Sequence, residues 1–316
     1  MGSTMPQRSK RWRSCKSTPA DHQGKPALHA YITLTVGALA VSTGAILVRY
    51  AQQEAASLTI AAYRMGIAFV AVLIPTLIKH RPELQALTYG DLALAATSGL
   101  FLAIHFATWV YSLELTSVAI SVVMVNTAPL WVGLLTPLMT RERLAPATIL
   151  GIGISVIGAV AIGWGLEGDG DSSNDLLGGV LATIGAVGLA VYLLIGRNFR
   201  CRHSLGVYVT VCYGAAAGFL SVAAIGTGQQ VVGFSTSIWW YLIGLALVSQ
   251  ILGHTTYNWA LRFFSASMIA IALLAEPICS TLLAHVLFNE TLTAVQVAGA
   301  ALILVGIYLA ARVERR

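Results

Sequence analysis

The 316-residue chain is 57% hydrophobic and 10% charged, and its formal net charge is +6. Its mean hydropathy is +0.76. Soluble domains carry about 25% charged residues, so this composition excludes a soluble globular protein. It predicts an all-α integral membrane protein, because helices satisfy their own backbone hydrogen bonds in lipid.

Residues 1–27 differ from the rest of the chain. They contain six Lys and Arg side chains and no apolar core, which is not typical of a cleaved signal peptide. We predict a disordered, basic, cytosolic tail over these residues.

Ten apolar windows beyond the tail have the length of about 20 residues that a helix needs to cross a bilayer. In chain order, spans 1 to 10 are predicted at Tyr31–Arg49, Ser57–Ile78, Leu92–Leu113, Ser117–Thr140, Pro146–Gly165, Leu176–Gly196, Leu205–Ile225, Ile238–Leu261, Ala266–Phe288 and Thr293–Ala311. With the amino terminus inside, 17 of the 19 Lys and Arg fall in the tails and on the inside loops. This predicts ten spans in the cell inner (plasma) membrane with both termini cytoplasmic. The positive charge therefore reflects topology and does not indicate nucleic-acid binding.

The two halves of the chain repeat at a fixed offset of 148 residues. The offset pairs several glycines and prolines without a gap: Gly37 with Gly185, Pro129 with Pro277, Gly151 with Gly299, and Gly158 with Gly306. Each half holds five spans, an odd number, so the second half enters the membrane from the opposite face. The sequence thus predicts two inverted five-helix repeats, an architecture typical of secondary transporters. The predicted boundaries are a first repeat at 28–165, an acidic external linker at 166–175, a second repeat at 176–312 and a cytosolic tail at 313–316.

Span 9 carries Glu276 and Pro277 near its middle. A carboxylate in the bilayer costs a few kcal/mol, and a proline removes the hydrogen bond to the carbonyl of Leu273. Lipid satisfies neither group, so both are expected to face protein or a water-filled cavity. The equivalent Pro129 should interrupt span 4 and free the carbonyl of Val125. The alternative is that Glu276 is a protonated, hydrogen-bonded packing residue and Pro277 a simple kink.

On span 8 the polar side chains of Gln250, His254, Asn258 and Arg262 recur every fourth residue. They form one helical stripe, flanked by Tyr257, that lipid would reject. We predict that this stripe and polar residues on spans 3, 4 and 9 bind substrate. The candidates are His105, Trp109, Asn126, Gln250, His254, Tyr257, Asn258 and Glu276. His105 and His254 are expected on opposite sides of the midplane, and a hydrogen-bonded contact between helices is the alternative role for each.

Arg64 lies about seven residues into span 2 and keeps its charge, so it needs a counter-charge or carbonyl groups. Glu54 and Glu276 are its candidate partners. A structural ion pair is the interpretation favoured for Arg64. The predicted structural and gating residues are Arg64, Pro129, Pro277, Glu142 and Glu290.

Two stretches of the chain resemble a known family. They are His105–Leu144 and Ser249–Ala310, with a Pro followed by Glu 13 residues later in each; AAYRMG in span 2 and GHTTYNWAL in span 8 add to the pattern. These segments resemble the two EamA-type repeats of the drug/metabolite transporter superfamily, ten-spanner branch. The resemblance implies that spans 1, 3, 4, 6, 8 and 9 surround a central cavity while spans 5 and 10 pack at the periphery. It implies export of amino acids, metabolites or drug-like molecules and leaves the substrate unnamed.

Motifs of enzymes are missing from the sequence, including HExxH, GxSxG, a Walker sequence and any Cys or His cluster at metal spacing. We predict no enzyme, no cofactor and no metal.

The sequence favours a secondary active transporter that exports small amphiphilic metabolites such as amino acids, driven by the substrate gradient, protons or exchange. Glu276 and His254 are the proton-coupling candidates. The alternatives are a facilitative, uncoupled permease and a channel-like membrane protein. Expected partners are a small-molecule substrate, lipid and protons, with the chain a monomer or a weak homodimer.

Overall fold

The computed structural model describes residues 28–116, 118–140, 144–164, 174–279 and 294–314, and these residues form helices and no strands. The predicted amino-terminal tail, Glu142, Glu290 and most of the linker lie outside the described residues.

The described residues of the first half form eight helices. They are α1 Leu28–Ser42, α2 Gly44–Ala51, α3 Ser57–Lys79, α4 Arg81–Gln85, α5 Tyr89–Leu115, α6 Val118–Val125, α7 Ala128–Met139 and α8 Pro146–Trp164. The second half contains a π-helix at Leu245–His254 and further α-helices. The latter are α9 Asp175–Arg200, α10 Leu205–Gly226, α11 Thr236–Gly244, α12 Thr255–Ala260, α13 Ala266–Leu273, α14 at 275–279 and α15 Ala294–Glu314.

Seven helical segments of the described chain are long and apolar enough to cross a membrane: Leu28–Ala51, Ser57–Lys79, Tyr89–Leu115, Ser121–Met139, Leu176–Arg200, Leu205–Gly226 and Thr236–Ala260. Three shorter apolar helices are Pro146–Ala161, Ala266–Cys279 and Val297–Ala310. The outer surface is apolar as well. On α1, for example, the side chains of Leu28, Ile32, Val36 and Leu39 are 41 to 75% exposed. Such a surface suits lipid and would drive aggregation in water, so the chain is an integral membrane protein.

Two helices end inside predicted spans 4 and 9, close to the prolines. α6 ends at Val125, and α7 begins with Pro129 in its first turn, where the missing N–H costs no helical hydrogen bond. α13 ends at Leu273, and the helix resumes as α14 around Pro277. Both interruptions lie where the prolines predict them.

Two other irregularities were not predicted. The first span is interrupted at Thr43, between α1 and α2, where the Thr43 hydroxyl donates to the carbonyl of Ala40 at 2.8 Å. Span 8 is a π-helix at its centre, and the Thr255 hydroxyl at its end donates to the carbonyl of Gln250 at 3.2 Å. π-helical turns are rare and are frequently found at functional sites.

Helix α9 is the most enclosed of the seven long segments. In its most apolar stretch 72% of the residues are buried, against 39 to 50% in the others. It packs along α5, while α3 packs along α10 and α8 along α15. The central cavity of the protein lies against α9, which contributes Leu189 to its wall.

Candidate functional site

A central cavity lies where the interrupted helices meet. Its polar wall consists of Arg64, His105, Trp109, Asn126, Ser249, His254 and Glu276. Val125 and Leu273, whose carbonyls the prolines leave without a helical partner, also line it. The six spans that the family resemblance places around a cavity all contribute, and span 2 adds Arg64.

The cavity is almost closed in this conformation. Its volume is about 20 Å³, which is room for roughly one water molecule. A metabolite therefore enters only after the surrounding helices separate.

Arg64 is anchored on neutral groups. The side chain is 1% exposed, its Nε donates to Oε1 of Gln250 at 3.0 Å, and its Nη2 donates to Oγ of Ser249 at 3.1 Å. The guanidinium carbon lies 4.0 Å from the centre of the Phe106 ring, a favourable cation–π contact. No carboxylate of the described residues pairs with Arg64 within 4 Å. The guanidinium is thus held by the Gln250 amide, the Ser249 hydroxyl and the Phe106 ring, and the Arg64 side chain also lines the cavity.

Of the two acids predicted as partners of Arg64, Glu54 lies elsewhere. Its carboxylate accepts hydrogen bonds from the Ser235 hydroxyl at 2.6 Å and the Ser235 backbone N–H at 2.8 Å. These bonds hold the pKa of Glu54 below its usual value of 4.5. Glu276 does lie in the cavity with Arg64, within interaction range of Arg64 and Asn126. Of the two predicted partners, Glu276 is therefore the acid that shares the cavity with Arg64, without a salt bridge to it.

The two histidines come close together, although the sequence placed them on opposite sides of the midplane. Their ring centres are 6.1 Å apart, and Phe106 meets the His254 ring edge-on at 5.3 Å. Nδ1 of His105 lies 2.9 Å from the carbonyl oxygen of Gly185. A neutral His105 that donates through Nδ1 leaves Nε2 as an acceptor. His105 therefore combines the predicted contact between helices with a place in the cavity wall.

The polar stripe of span 8 divides between two environments. His254 lines the cavity, whereas Gln250, Tyr257 and Asn258 do not. Gln250 binds Arg64 from behind the wall. Asn258 accepts from the Tyr192 hydroxyl at 2.6 Å and donates to the Tyr213 hydroxyl at 3.1 Å. The stripe is therefore not a continuous cavity wall. His254 lines the cavity, whereas Gln250 and Asn258 make hydrogen bonds to neighbouring helices.

Sequence reasoning missed Ser249 and the cavity role of Arg64. Ser249 holds the guanidinium and also lines the cavity. Its only signal was its position beside Gln250 in an apolar span. Arg64 was interpreted as a structural charge, because nothing in the sequence shows which face of span 2 meets span 8.

A second charged cluster lies at one end of the bundle. Nη1 of Arg202 is 2.9 Å from Oδ1 of Asp91, and Nε2 of His203 is 3.4 Å from the same oxygen. The backbone N–H of Ser204 donates to Glu83 at 2.7 Å. Burial raises the pKa of Glu83, but the hydrogen bonds from Ser204 outweigh it and keep the pKa below 4.5. This cluster ties the loop after α9 to the start of α5 and to α4.

Comparisons with known proteins bear on what such a cavity does. The model of the EamA-like transporter family matches the chain twice, at residues 28–164 and 176–312. A protein of Archaeoglobus fulgidus named as an uncharacterized transporter is 26% identical over 205 residues, which are 62% of this chain and 68% of that relative. The uncharacterized transporter YetK of Bacillus subtilis is 23% identical over 291 residues, 90% of this chain and 87% of the relative. A solved crystal structure has the same fold, with a TM-score of 0.74 at 21% identity over 92% of this chain and 99% of the other.

Proposed function

Because the chain belongs to the EamA-like transporter family, we propose that it is a secondary active transporter that exports small amphiphilic metabolites such as amino acids. It works by alternating access around the central cavity. The observation that carries the proposal is the convergence of Arg64, His105, His254 and Glu276, from four different helices, on one cavity bordered by interrupted helices. Ionisable side chains at membrane depth are costly and are retained mainly for function.

The repeat architecture of the proposal is ten spans in two inverted halves. Two close glycine contacts support it. Gly37 packs against Thr256, where an added Cβ would lie 2.9 Å from Cγ2 of Thr256. Gly185 packs against Thr108, where an added Cβ would lie 3.1 Å from Oγ1 of Thr108. The offset of 148 residues exchanges these two contacts, and the two family matches are shifted by the same amount. A two-fold axis in the membrane plane, relating the two halves, produces this exchange. Movement of one half against the other then opens the cavity to each face of the membrane in turn.

Topology completes the proposal. The protein resides in the plasma membrane in this proposal. Both termini lie in the cytoplasm, because Lys and Arg concentrate on one set of loops. The three shorter apolar helices then act as spans 5, 9 and 10.

We assign the coupling of transport to proton movement to Glu276. It is the carboxylate that shares the cavity with Arg64, so its charge is stabilised while the two face each other and is destabilised when they separate. His254 lines the same cavity, but no hydrogen bond joins it to Glu276 among the described residues. His254 lies in the cavity wall beside His105, and we assign the binding and release of the proton to Glu276.

Counterflow in proteoliposomes tests the function. Purified chain is reconstituted, and uptake of each of the twenty radiolabelled amino acids is measured with and without the same unlabelled compound inside. A transporter gives saturable uptake that internal substrate accelerates. A channel gives uptake that rises linearly with concentration and shows no counterflow. Protein-free liposomes set the background, and linear flux would replace the proposal with a pore.

A further inference from the structure

Two buried hydrogen-bond donors of the central cavity have no acceptor. Five buried side-chain nitrogen and oxygen atoms of the described residues make no hydrogen bond, and only Nη1 of Arg64 and Nε1 of Trp109 belong to side chains that line the cavity. The two side chains are 1% and 5% exposed. A buried donor without an acceptor is destabilising, and more so when it is charged. An acceptor that enters the cavity would satisfy both.

The two side chains that carry these donors are neighbours, and each has contacts that position it. The guanidinium carbon of Arg64 is 6.0 Å from the centre of the Trp109 ring. Nε and Nη2 of Arg64 are held by Gln250 and Ser249, and the Trp109 ring stacks parallel to His105. Two unsatisfied donors on neighbouring side chains of one cavity, one of them charged, suit the two oxygens of a carboxylate.

From this geometry we infer that the cavity binds a carboxylate of its substrate between Nη1 of Arg64 and Nε1 of Trp109. The inference rests on the transport function proposed above and specifies its substrate class as small carboxylate-bearing metabolites. One guanidinium and one neutral N–H balance a single negative charge. A phosphate would bring a second charge into a site that already contains Glu276, at a large desolvation cost.

Glu276 also supplies a negative charge to the site, opposite in sign to Arg64. Its carboxylate shares the cavity with Arg64, so a substrate whose carboxylate contacts Arg64 can direct an ammonium group to Glu276. This arrangement fits an amino acid zwitterion and accommodates a simple monocarboxylate less well.

The subsite survives opening of the cavity. Arg64 is on α3 and Trp109 on α5, and these two helices pack against each other. The opposite wall is built from the interrupted helices around Pro129 and Leu273. Displacement of that wall enlarges the cavity beyond its volume of about 20 Å³ and leaves the two donors together.

The test compares substrates and variants in proteoliposomes. The probes are the twenty amino acids, the monocarboxylates acetate, lactate and pyruvate, and two cations without a carboxylate, choline and ethidium. For the best amino acid, its amide and its alcohol are added as competitors. Trp109→Phe keeps a ring and removes the N–H. Trp131→Phe is the matched control, because that indole donates to Thr127 and does not line the cavity.

We expect saturable transport of amino acids and weaker transport of the monocarboxylates, with no competition from the amide or the alcohol. Trp109→Phe and Arg64→Lys should each raise KM by about ten-fold or more, and Trp131→Phe should leave it unchanged. Transport restricted to choline or ethidium, competition by the amide equal to that of the parent acid, or a Trp109→Phe chain with unchanged KM would overturn the carboxylate subsite while the transport function stands. Absence of saturable flux for every probe would overturn the function and the subsite together.

Discussion

Gly158 in α8 packs directly on the backbone of Gly299 in α15, since an added Cβ at Gly158 would lie 2.5 Å from the Gly299 carbonyl oxygen. Gly151 meets Gly306 in the same way, at 2.8 Å. The offset of 148 residues relates Gly151 to Gly299 and Gly158 to Gly306, so the two contacts are exchanged with each other. This is the pattern of a self-complementary interface, formed here within one chain.

Substitutions in α8 test that contact. Gly158→Ala places a methyl group against the Gly299 backbone and should destabilise the protein by about 1–3 kcal/mol. Gly153→Ala is the control, because no heavy atom lies within 4 Å of its added Cβ. Thermal unfolding of the purified variants in one detergent gives the comparison. Equal stability of the two variants would show that α8 and α15 do not pack as described.

Topology is tested with fusions to reporters of membrane side. A reporter placed after Asp171 should appear outside the cell, and one placed after Arg202 should appear in the cytosol, because Lys and Arg mark the cytosolic loops. Alkaline phosphatase activity reports the first location, and green fluorescence reports the second. The reverse result would overturn both the count of spans and the inversion of the repeats.

Cysteine labelling separates the two environments of span 8. His254 lines the cavity and Asn258 is bonded to Tyr192 and Tyr213. In a chain whose four native cysteines are replaced by Ser, His254→Cys should react with a water-soluble thiol reagent, and a transported substrate should slow that reaction. Asn258→Cys should react slowly and show no protection by substrate. Equal, substrate-protected labelling at both positions would show that the whole stripe faces the cavity.

Much of the fold could be predicted from sequence because membrane physics constrains it strongly. Apolar windows and the fixed offset located the helices, and Pro129 and Pro277 located the interruptions, since a missing N–H acts locally. The interruption at Thr43 and the π-helix at Leu245–His254 contain no proline, so no missing N–H marks them in the sequence.

The candidate site was predictable as a set of residue types but not as an arrangement. Glu276, His105 and His254 stood out because polar groups in lipid are costly. Arg64 was recognised for the same reason, yet its partners are the neutral Gln250 and Ser249. Sequence spacing orders residues along one helix and does not show which faces of two helices meet.

Acidification probes the contact between Glu54 and Ser235. Hydrogen bonds from Ser235 lower the pKa of Glu54 below 4.5 in the folded chain. A group with a lowered folded pKa stabilises the protein above its unfolded pKa and loses that contribution as pH falls through the folded value. The thermal midpoint of the wild type should therefore exceed that of Glu54→Gln at pH 7, and the difference should shrink as the pH falls below the usual Glu pKa of 4.5. A difference that persists at low pH would assign it to something other than the charge of Glu54.

The role of Glu276 is the most demanding prediction. Glu276→Gln keeps the shape of the side chain and removes its charge, so no proton can bind or leave at this position. Accumulation of substrate against a gradient, driven by an imposed pH difference across proteoliposomes, should be lost. Exchange of labelled for unlabelled substrate needs no net proton movement and should continue.

The two assays together distinguish coupling from structure. Loss of both activities, with a lowered thermal midpoint, would indicate that Glu276 is a structural acid beside Pro277. Uphill, pH-dependent transport by Glu276→Gln would require another coupling residue, and His254→Gln is then the variant to test, because His254 is the second proton-coupling candidate predicted from the sequence and it lines the cavity. Exchange that persists while accumulation disappears places the proton on Glu276. Its charge would then alternate with its distance from Arg64, because a nearby cation favours the ionised carboxylate and separation within the low-dielectric interior favours the neutral acid.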